Sequence, residues 1–154
     1  MISTAELLGR YEFFSELSDE HRQQVAGCGT PARLARGTHL FVAGEPAHEF
    51  FLLQDGIIAL ELATPAVASF RFETLGTGDV VGWSWLFAPH RWSFDGYVVE
   101  DANVVRFDGD CVRAKCDQDH ELGYALMKRF AQVVVNRLAS SRLQLMDIYG
   151  QRAG

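Results

Sequence analysis

All three tryptophans of this 154-residue chain, Trp83, Trp85 and Trp92, lie within one stretch of ten residues. The stretch follows a glycine, Gly82, and also contains Arg91. Glycine turns expose backbone N–H groups that attract anions, and a guanidinium offers a planar fork for phosphate or carboxylate. The sequence therefore predicts a site for a small anionic ligand, formed by Gly82, Trp83, Ser84, Trp85, Arg91, Trp92 and Ser93.

The aromatic side chains of the same stretch have a second interpretation. Large rings bury much apolar area and commonly fill protein cores. The tryptophans, together with Phe87 and Phe94, therefore suit a packed core as well as a surface on which a ligand stacks. The sequence leaves both interpretations open.

No other group of residues predicts catalysis or metal binding. The five histidines show neither H-x-H nor H-x-x-x-H spacing, so no metal site is expected. No Ser-His-Asp, paired-carboxylate or Walker-type arrangement stands out, and the chain is not expected to be an enzyme.

The cysteines predict reduced thiols. Cys28, Cys111 and Cys116 are an odd number and show no framework spacing, which is typical of a cytoplasmic protein. A redox pair of Cys111 and Cys116 is the alternative that their short separation allows.

Composition indicates a single globular domain over residues 1–154. Hydrophobic residues make up 48% of the chain and charged residues 22%, which is typical of a protein with a real core. The net charge of −6 argues against nucleic acid or an anionic membrane as a partner. No apolar run reaches the ~18 residues of a membrane span, and the N-terminus does not resemble a signal peptide. A cytoplasmic location is expected.

The order of predicted elements indicates an α+β fold. Residues 1–28 predict short helices, with a start at Ser18. Residues 32–108 predict short strands between glycine turns, including a hairpin turn at Asp55-Gly56 between two of them. Strands this short and turns this frequent favour a closed antiparallel β-roll or jelly roll.

Residues 109–150 predict helices, of which the last, from about Asp119 to Tyr149, is unusually long. Its apolar residues recur every three or four positions. One interpretation is a helix that packs along its own barrel. The other is a dimer seam with a second copy of the chain, because a domain of this size cannot cover some thirty helical residues. The residues expected in that seam are Phe130, Val134, Leu138 and Leu145.

Four motifs in this order resemble the cyclic nucleotide-binding domain of the cyclic-AMP receptor (Crp/Fnr) family. They are F-S-E-L-S at 14–18, G-x-x-L-F-x-x-G-E at 37–45, F-L-L-Q-D-G at 51–56 and G-D-x-x-G at 78–82. The resemblance covers nearly the whole chain. It implies the β-roll with short helices before it and a long helix after it, and it makes a cyclic nucleotide a candidate ligand.

The resemblance also places the family's phosphate-binding cassette on the tryptophan-rich stretch. That cassette has Gly-Glu, an apolar turn, and then Arg with a small residue; its Glu bonds the ribose hydroxyl and its Arg the phosphate. Here Gly82 and Arg91 match, whereas Trp83 and Trp92 replace the Glu and the small residue, over a shorter gap. An indole only donates hydrogen bonds, so we expect anion binding without ribose recognition and weak binding of cyclic AMP. Glu73 or Asp95 is the alternative source of the missing carboxylate.

The family's transcription factors carry a helix-turn-helix domain after the long helix. This sequence ends at Gly154, so direct DNA binding is not expected. The function predicted is that of a stand-alone sensor, which binds a small anionic ligand or nucleotide and signals through its last helix to a partner protein. The alternative is a ligand-free domain that serves as a dimeric scaffold or accessory subunit.

Overall fold

A computed structural model describes residues 2–63, 65–66 and 69–153, with side chains throughout except at 144, 145 and 147–153. Three short helices, α1 (Thr4–Leu8), α2 (Glu12–Ser15) and α3 (Asp19–Ala26), come first. Ser18 accepts a hydrogen bond from the His21 N–H at 3.1 Å and caps α3, which confirms the predicted helix start.

Six strands follow and form one antiparallel sheet. They are β1 (Gly29–Leu34), β2 (His39–Phe41), β3 (Glu49–Leu62), β4 (Phe70–Leu75), β5 (Val80–Val81) and β6 (Asp95–Asp108). The main order is β1-β6-β3-β4, while β2 pairs with β6 and β5 pairs with β3. The predicted α+β fold with an antiparallel β-roll is confirmed.

The expected hairpin turn at Asp55-Gly56 is wrong. Both residues lie inside β3, a strand of 14 residues that pairs along its length with β6, and the register shifts around them. Gly56 adopts φ +94°, and a side chain there would meet the Asp101 carbonyl oxygen at 2.5 Å. The Asp55 carboxylate accepts hydrogen bonds from the backbone N–H and the amide of Asn103. The dipeptide therefore forms a bulge that bends a continuous strand, because its polar groups are satisfied across the sheet.

Two helices close the chain, α4 (Gly109–Gln118) and α5 (His120–Ala153). Asp119 Oδ1 accepts hydrogen bonds from the N–H groups of Glu121 and Leu122 and caps the long helix, which confirms its predicted start. At about 1.5 Å per residue, the 34 residues of α5 span about 51 Å. None of the helices in the described part of the chain has the length and apolar character that a membrane span needs.

The core lies between the sheet and the helices. One face of α5 supplies Leu122, Leu126 and Phe130, all fully buried. Phe130 contacts Phe50 of β3 edge-on at 5.2 Å between ring centroids, and it contacts Phe13 of α2 at 4.9 Å. The first turns of α5 are thus fixed on the domain by aromatic packing.

The expectation of reduced thiols is wrong for two of the three cysteines. Cys28 and Cys111 form a disulfide although 83 residues separate them. Strand β1 pairs with the end of β6, where Gly29 lies opposite Phe107, and α4 starts directly after β6. This topology brings the Cα atoms of the two cysteines to 5.8 Å, a distance that spacing along the sequence does not reveal. Cys116 remains a free thiol, so it is not paired with Cys111.

Candidate ligand-binding site

The space above the Gly82 turn is filled by Trp92. Gly82 has φ +95°, and a Cβ placed on it would lie 2.9 Å from two carbon atoms of the Trp92 ring. The Trp92 side chain is 5% exposed and stacks on Phe41 with 3.9 Å between ring centroids. The predicted glycine turn and one predicted tryptophan therefore do meet, and the ring packs directly against the turn.

Arg91 faces the loop before β3. Its guanidinium Nη1 donates a hydrogen bond to the Gly44 carbonyl at 2.8 Å, and the residue is exposed. The neighbouring backbone continues this contact, because Trp92 N–H donates to the Glu45 carbonyl and Gly44 N–H donates to the Trp92 carbonyl. Arg91 thus fastens one loop to another on the surface. Ser93 is exposed beside it, and Ser84 is buried.

Trp85 belongs to the core. Its ring is fully buried, stacks on Phe50 at 4.6 Å and meets Phe130 edge-on at 5.3 Å. Its carbonyl accepts a hydrogen bond from Arg113 Nη1 of α4 at 2.7 Å. For this residue, packing is the interpretation that the geometry supports, because the ring lies under α5 among other aromatic rings.

Trp83 lies between the roll and α5. Its half-buried ring meets Phe94 edge-on at 5.2 Å. The guanidinium carbon of Arg137 lies 5.0 Å from the centre of the same ring. A cation at this distance from an indole face is attracted by the electron-rich ring. Trp83 thus contacts a positive charge that α5 supplies.

Arg137 is a buried charge with unused hydrogen-bonding capacity. The residue is only 8% exposed, and its Nη2 donates to the Val80 carbonyl at 2.7 Å. Its Nε lies 3.9 Å from Glu73 Oε2, which is an ion pair without a hydrogen bond. Its Nη1 is buried and has no hydrogen-bond partner. Burial lowers the pKa of Arg137, opposed by the charges of Glu73 and Asp79, and an arginine remains protonated in spite of such a shift.

A cavity of about 300 Å³ adjoins this side chain. It lies between α5, β4, α2 and the turn before β5, and Arg129 and Arg137 are its two cations. Its other lining side chains are mainly acidic or neutral and polar, and include Glu12, Glu73, Asp79, Thr74, Gln132, Asn136 and Ser140. Arg129 already donates to the Phe13 carbonyl and pairs with Glu16 at 3.0 Å. Of the two cations, Arg137 is the one with an open donor.

The carboxylates next to Arg137 differ in environment. Burial raises the pKa of Glu73, Arg137 opposes that shift, and the Asp79 charge adds to it. The Asp79 carboxylate accepts a hydrogen bond from the Gly76 N–H at 2.9 Å. Asp95, the other candidate carboxylate from the sequence, accepts from the Ala43 N–H at 2.7 Å. Of the two candidates, only Glu73 lines the cavity.

The sequence interpretation did not identify Arg137. Its position could have done so, because it continues the buried face of α5 at the spacing of Leu126, Phe130 and Val133. An arginine on a buried stripe is unusual and indicates either an ion pair or a ligand. Among the described residues, no group of three or more His, Cys, Asp or Glu is placed to hold a metal ion.

An apolar stripe on α5 faces away from the core. Tyr124 is 68% exposed and Leu138 51%, and Met127 and Val135 lie on the same side of the helix. Of the residues predicted in the dimer seam, Leu138 belongs to this stripe and Val134 is half-buried. Phe130 is instead buried within its own chain, and the Leu145 side chain lies outside the described residues.

Solved structures with this fold come from several bacteria. A putative cyclic nucleotide-binding protein from Geobacter metallireducens GS-15 is 26% identical, with a TM-score of 0.80 over 90% of this chain and 99% of that one. The sensor domain of the transcriptional regulator DNR from Pseudomonas aeruginosa is 20% identical, with a TM-score of 0.68 over 87% of this chain and 90% of that one. The Thermus thermophilus catabolite activator protein is 18% identical, with a TM-score of 0.70 over 89% of this chain and 62% of that one.

The sequence matches no curated protein. It does match the family model of the cyclic nucleotide-binding domain over residues 31–119, which include the whole of the sheet after β1 and all of α4. The match spans more than half of the chain and agrees with the fold. The chain therefore belongs to the cyclic nucleotide-binding domain family.

Proposed function

We propose that this protein is a regulatory sensor that binds a small anionic ligand at Arg137 and transmits binding through α5. The observation that carries the proposal is the buried Arg137 guanidinium, whose Nη1 has no hydrogen-bond partner. Leaving a buried charged donor unpaired is unfavourable, and such groups commonly mark functional positions. A carboxylate or phosphate oxygen would satisfy this donor.

The cavity limits the size and chemistry of the ligand. A volume of about 300 Å³ is at the lower end of the range for small-molecule sites. The neutral side chains Thr74, Asn136 and Ser140 offer hydrogen bonds to hydroxyl or amide groups. A small hydroxylated anion, such as a nucleoside monophosphate, fits this combination better than an uncharged ligand does.

In this proposal the cassette residues take a smaller part in ligand binding than the family pattern implies. Trp92 fills the volume over the Gly82 turn, and Arg91 is engaged with Gly44. Cyclic AMP is the first ligand to test because of the family, and we expect it to bind weakly. The prediction from the sequence that Arg91 is the charge partner remains a separate hypothesis, which the same experiment tests.

Arg137 also provides the route to signalling. It lies on the buried face of α5, so a ligand on its guanidinium contacts the helix directly. A ligand that prefers one position of α5 shifts the population of that position. We propose that the exposed stripe pairs with α5 of a second copy, so that a dimer converts this shift into a signal.

The test is a titration of intrinsic tryptophan fluorescence with cyclic AMP, 5′-AMP and inorganic phosphate. Trp83 lies 5.0 Å from the Arg137 guanidinium and should report binding. For a probe that binds, Arg137→Met should raise the dissociation constant by about 10- to 150-fold. This is the equivalent of the about 1.5–3 kcal/mol that a hydrogen bond to a charged group contributes. Arg91→Ala is the matched control and should change the dissociation constant less than threefold.

Two results would contradict the proposal. If Arg91→Ala weakens binding and Arg137→Met does not, the charge partner is in the cassette. If calorimetry and fluorescence detect none of the three probes at millimolar concentration, the alternative gains support. That alternative is a ligand-free scaffold or accessory subunit, and the packing of Trp92 against Gly82 is the observation in its favour.

A further inference from the structure

Helix α4 is attached to other parts of the domain by a disulfide, by hydrogen bonds and by the contact of Asp110 with His48. Cys111 is bonded to Cys28 at the start of β1. Arg113 donates a hydrogen bond to the Trp85 carbonyl in the cassette segment, and Lys115 donates to the Gln24 carbonyl of α3, each at 2.7 Å. α4 therefore contacts both the N-terminal helices and the tryptophan-rich segment, and it directly precedes α5.

We infer that the Cys28–Cys111 bond is a site for thiol–disulfide exchange with small dithiols and disulfides, and that its redox state controls how firmly α4 is held. The two cysteines differ in access. Cys28 is only 7% exposed, whereas Cys111 is partly exposed on the first turn of α4. An incoming thiolate can therefore reach the bond from the side of Cys111.

A dithiol reduces the Cys28–Cys111 bond in two exchange steps. A thiolate of the dithiol attacks Cys111 Sγ, the S–S bond breaks, and its electron pair leaves on Cys28 Sγ, which takes up a proton. The second thiolate of the dithiol then attacks the reagent's first sulfur, which is bonded to Cys111 Sγ in the mixed disulfide. This releases the Cys111 thiolate, which is protonated in turn. The reagent leaves as a cyclic disulfide, and a small disulfide such as oxidised glutathione drives the reverse reaction.

The sheet does not depend on this bond. The Asp108 N–H donates to the Cys28 carbonyl at 3.0 Å, and β1 pairs with β6 from Gly29 onward. Reduction removes only the disulfide between α4 and Cys28 and leaves these backbone hydrogen bonds in place. The backbone hydrogen bond from Gly109 N–H to the His48 carbonyl, at 2.7 Å, also remains at the start of the helix. The side-chain contacts that still hold α4, from Asp110, Arg113 and Lys115, open more readily than a covalent link.

The effect of reduction should therefore be local. Amide hydrogen exchange across 109–118 should become at least tenfold faster after treatment with dithiothreitol, while the central amides of β3 and β6 keep their rates. Trp85, held by Arg113, should change its emission at the same dithiol concentration. Ligand binding is not involved, so the result is independent of the proposed sensor function.

Matched variants separate the bond from the free thiol. Cys116→Ser removes only the free cysteine and should retain the full redox response. Cys28→Ser with Cys111→Ser should show fast exchange in α4 under oxidising and reducing conditions alike. The protein is equilibrated at a series of ratios of reduced to oxidised glutathione, alkylated and analysed by mass. Two cysteines should change together between the thiol and the disulfide form.

Three outcomes would overturn the inference. Three free thiols after treatment with oxidised glutathione would show that the bond does not form. A bond that survives every glutathione ratio, or whose reduction unfolds β3 and β6 as well, would be a permanent structural link. Reduction without faster exchange in α4 would show that the bond does not hold the helix.

Discussion

The replacement of Gly82 by alanine tests whether the tryptophan ring fills the cassette turn. Gly82 has φ +95°, and the added Cβ would lie 2.9 Å from the Trp92 ring. A left-handed conformation costs a residue with a Cβ about 1–2 kcal/mol, and overpacking a buried contact costs about 1–3 kcal/mol more. Gly82→Ala should therefore lower the free energy of unfolding by about 2–5 kcal/mol.

Gly44→Ala is the matched control. Gly44 has φ +88°, and no atom lies within 4 Å of a Cβ placed there, so only the backbone term of about 1–2 kcal/mol applies. Urea unfolding followed by circular dichroism measures both changes. In a Trp92→Ala background the ring is absent, and Gly82→Ala should then cost no more than Gly44→Ala does. Equal losses for the two single variants would refute the placement of Trp92 over the turn.

Three further predictions follow from the long helix, the cavity and the net charge. Leu138→Glu places a charge in the exposed stripe of α5 and should convert a dimer to a monomer in a mass measurement by light scattering; an unmodified chain that is monomeric at micromolar concentration would contradict the dimer. Burial raises the pKa of Glu73 above its ordinary value of about 4.5, so its contribution to stability is fully present below that value and is lost as pH rises through the raised pKa. Glu73→Gln should therefore make the free energy of unfolding less sensitive to pH above about 4.5, and an unchanged pH profile would argue against a buried carboxyl. The 154-residue chain carries a net charge of −6 and should show no footprint on duplex DNA at physiological salt and nanomolar protein; a protected sequence would refute this.

The features predicted well from the sequence depend on neighbours along the chain. Ser18 and Asp119 cap helices because their side chains accept from N–H groups two or three residues ahead. The long last helix follows from its own apolar periodicity, and the β-roll follows from the order of motifs. None of these predictions requires knowledge of which strands pair.

The errors concern contacts between residues that are distant in the sequence. Asp55 forms a bulge instead of a turn because its carboxylate is satisfied by Asn103 on another strand. Cys28 meets Cys111 only because β1 pairs with the end of β6. Composition and spacing contain no information on these pairings.

The buried charge of Arg137 is the strongest argument that the cavity has a function. Removing one partner of a close buried ion pair commonly costs about 3–5 kcal/mol. Here the nearest carboxylate oxygen of Glu73 is 3.9 Å from Arg137, so the pair is looser than that. Arg137→Met with Glu73→Gln removes both charges together with the buried hydrogen bond from Arg137 to the Val80 carbonyl, so we expect the free energy of unfolding to fall by about 1–3 kcal/mol. A loss of more than about 3 kcal/mol would show that Arg137 is mainly structural, whereas a smaller loss together with lost ligand binding would place Arg137 in a ligand site.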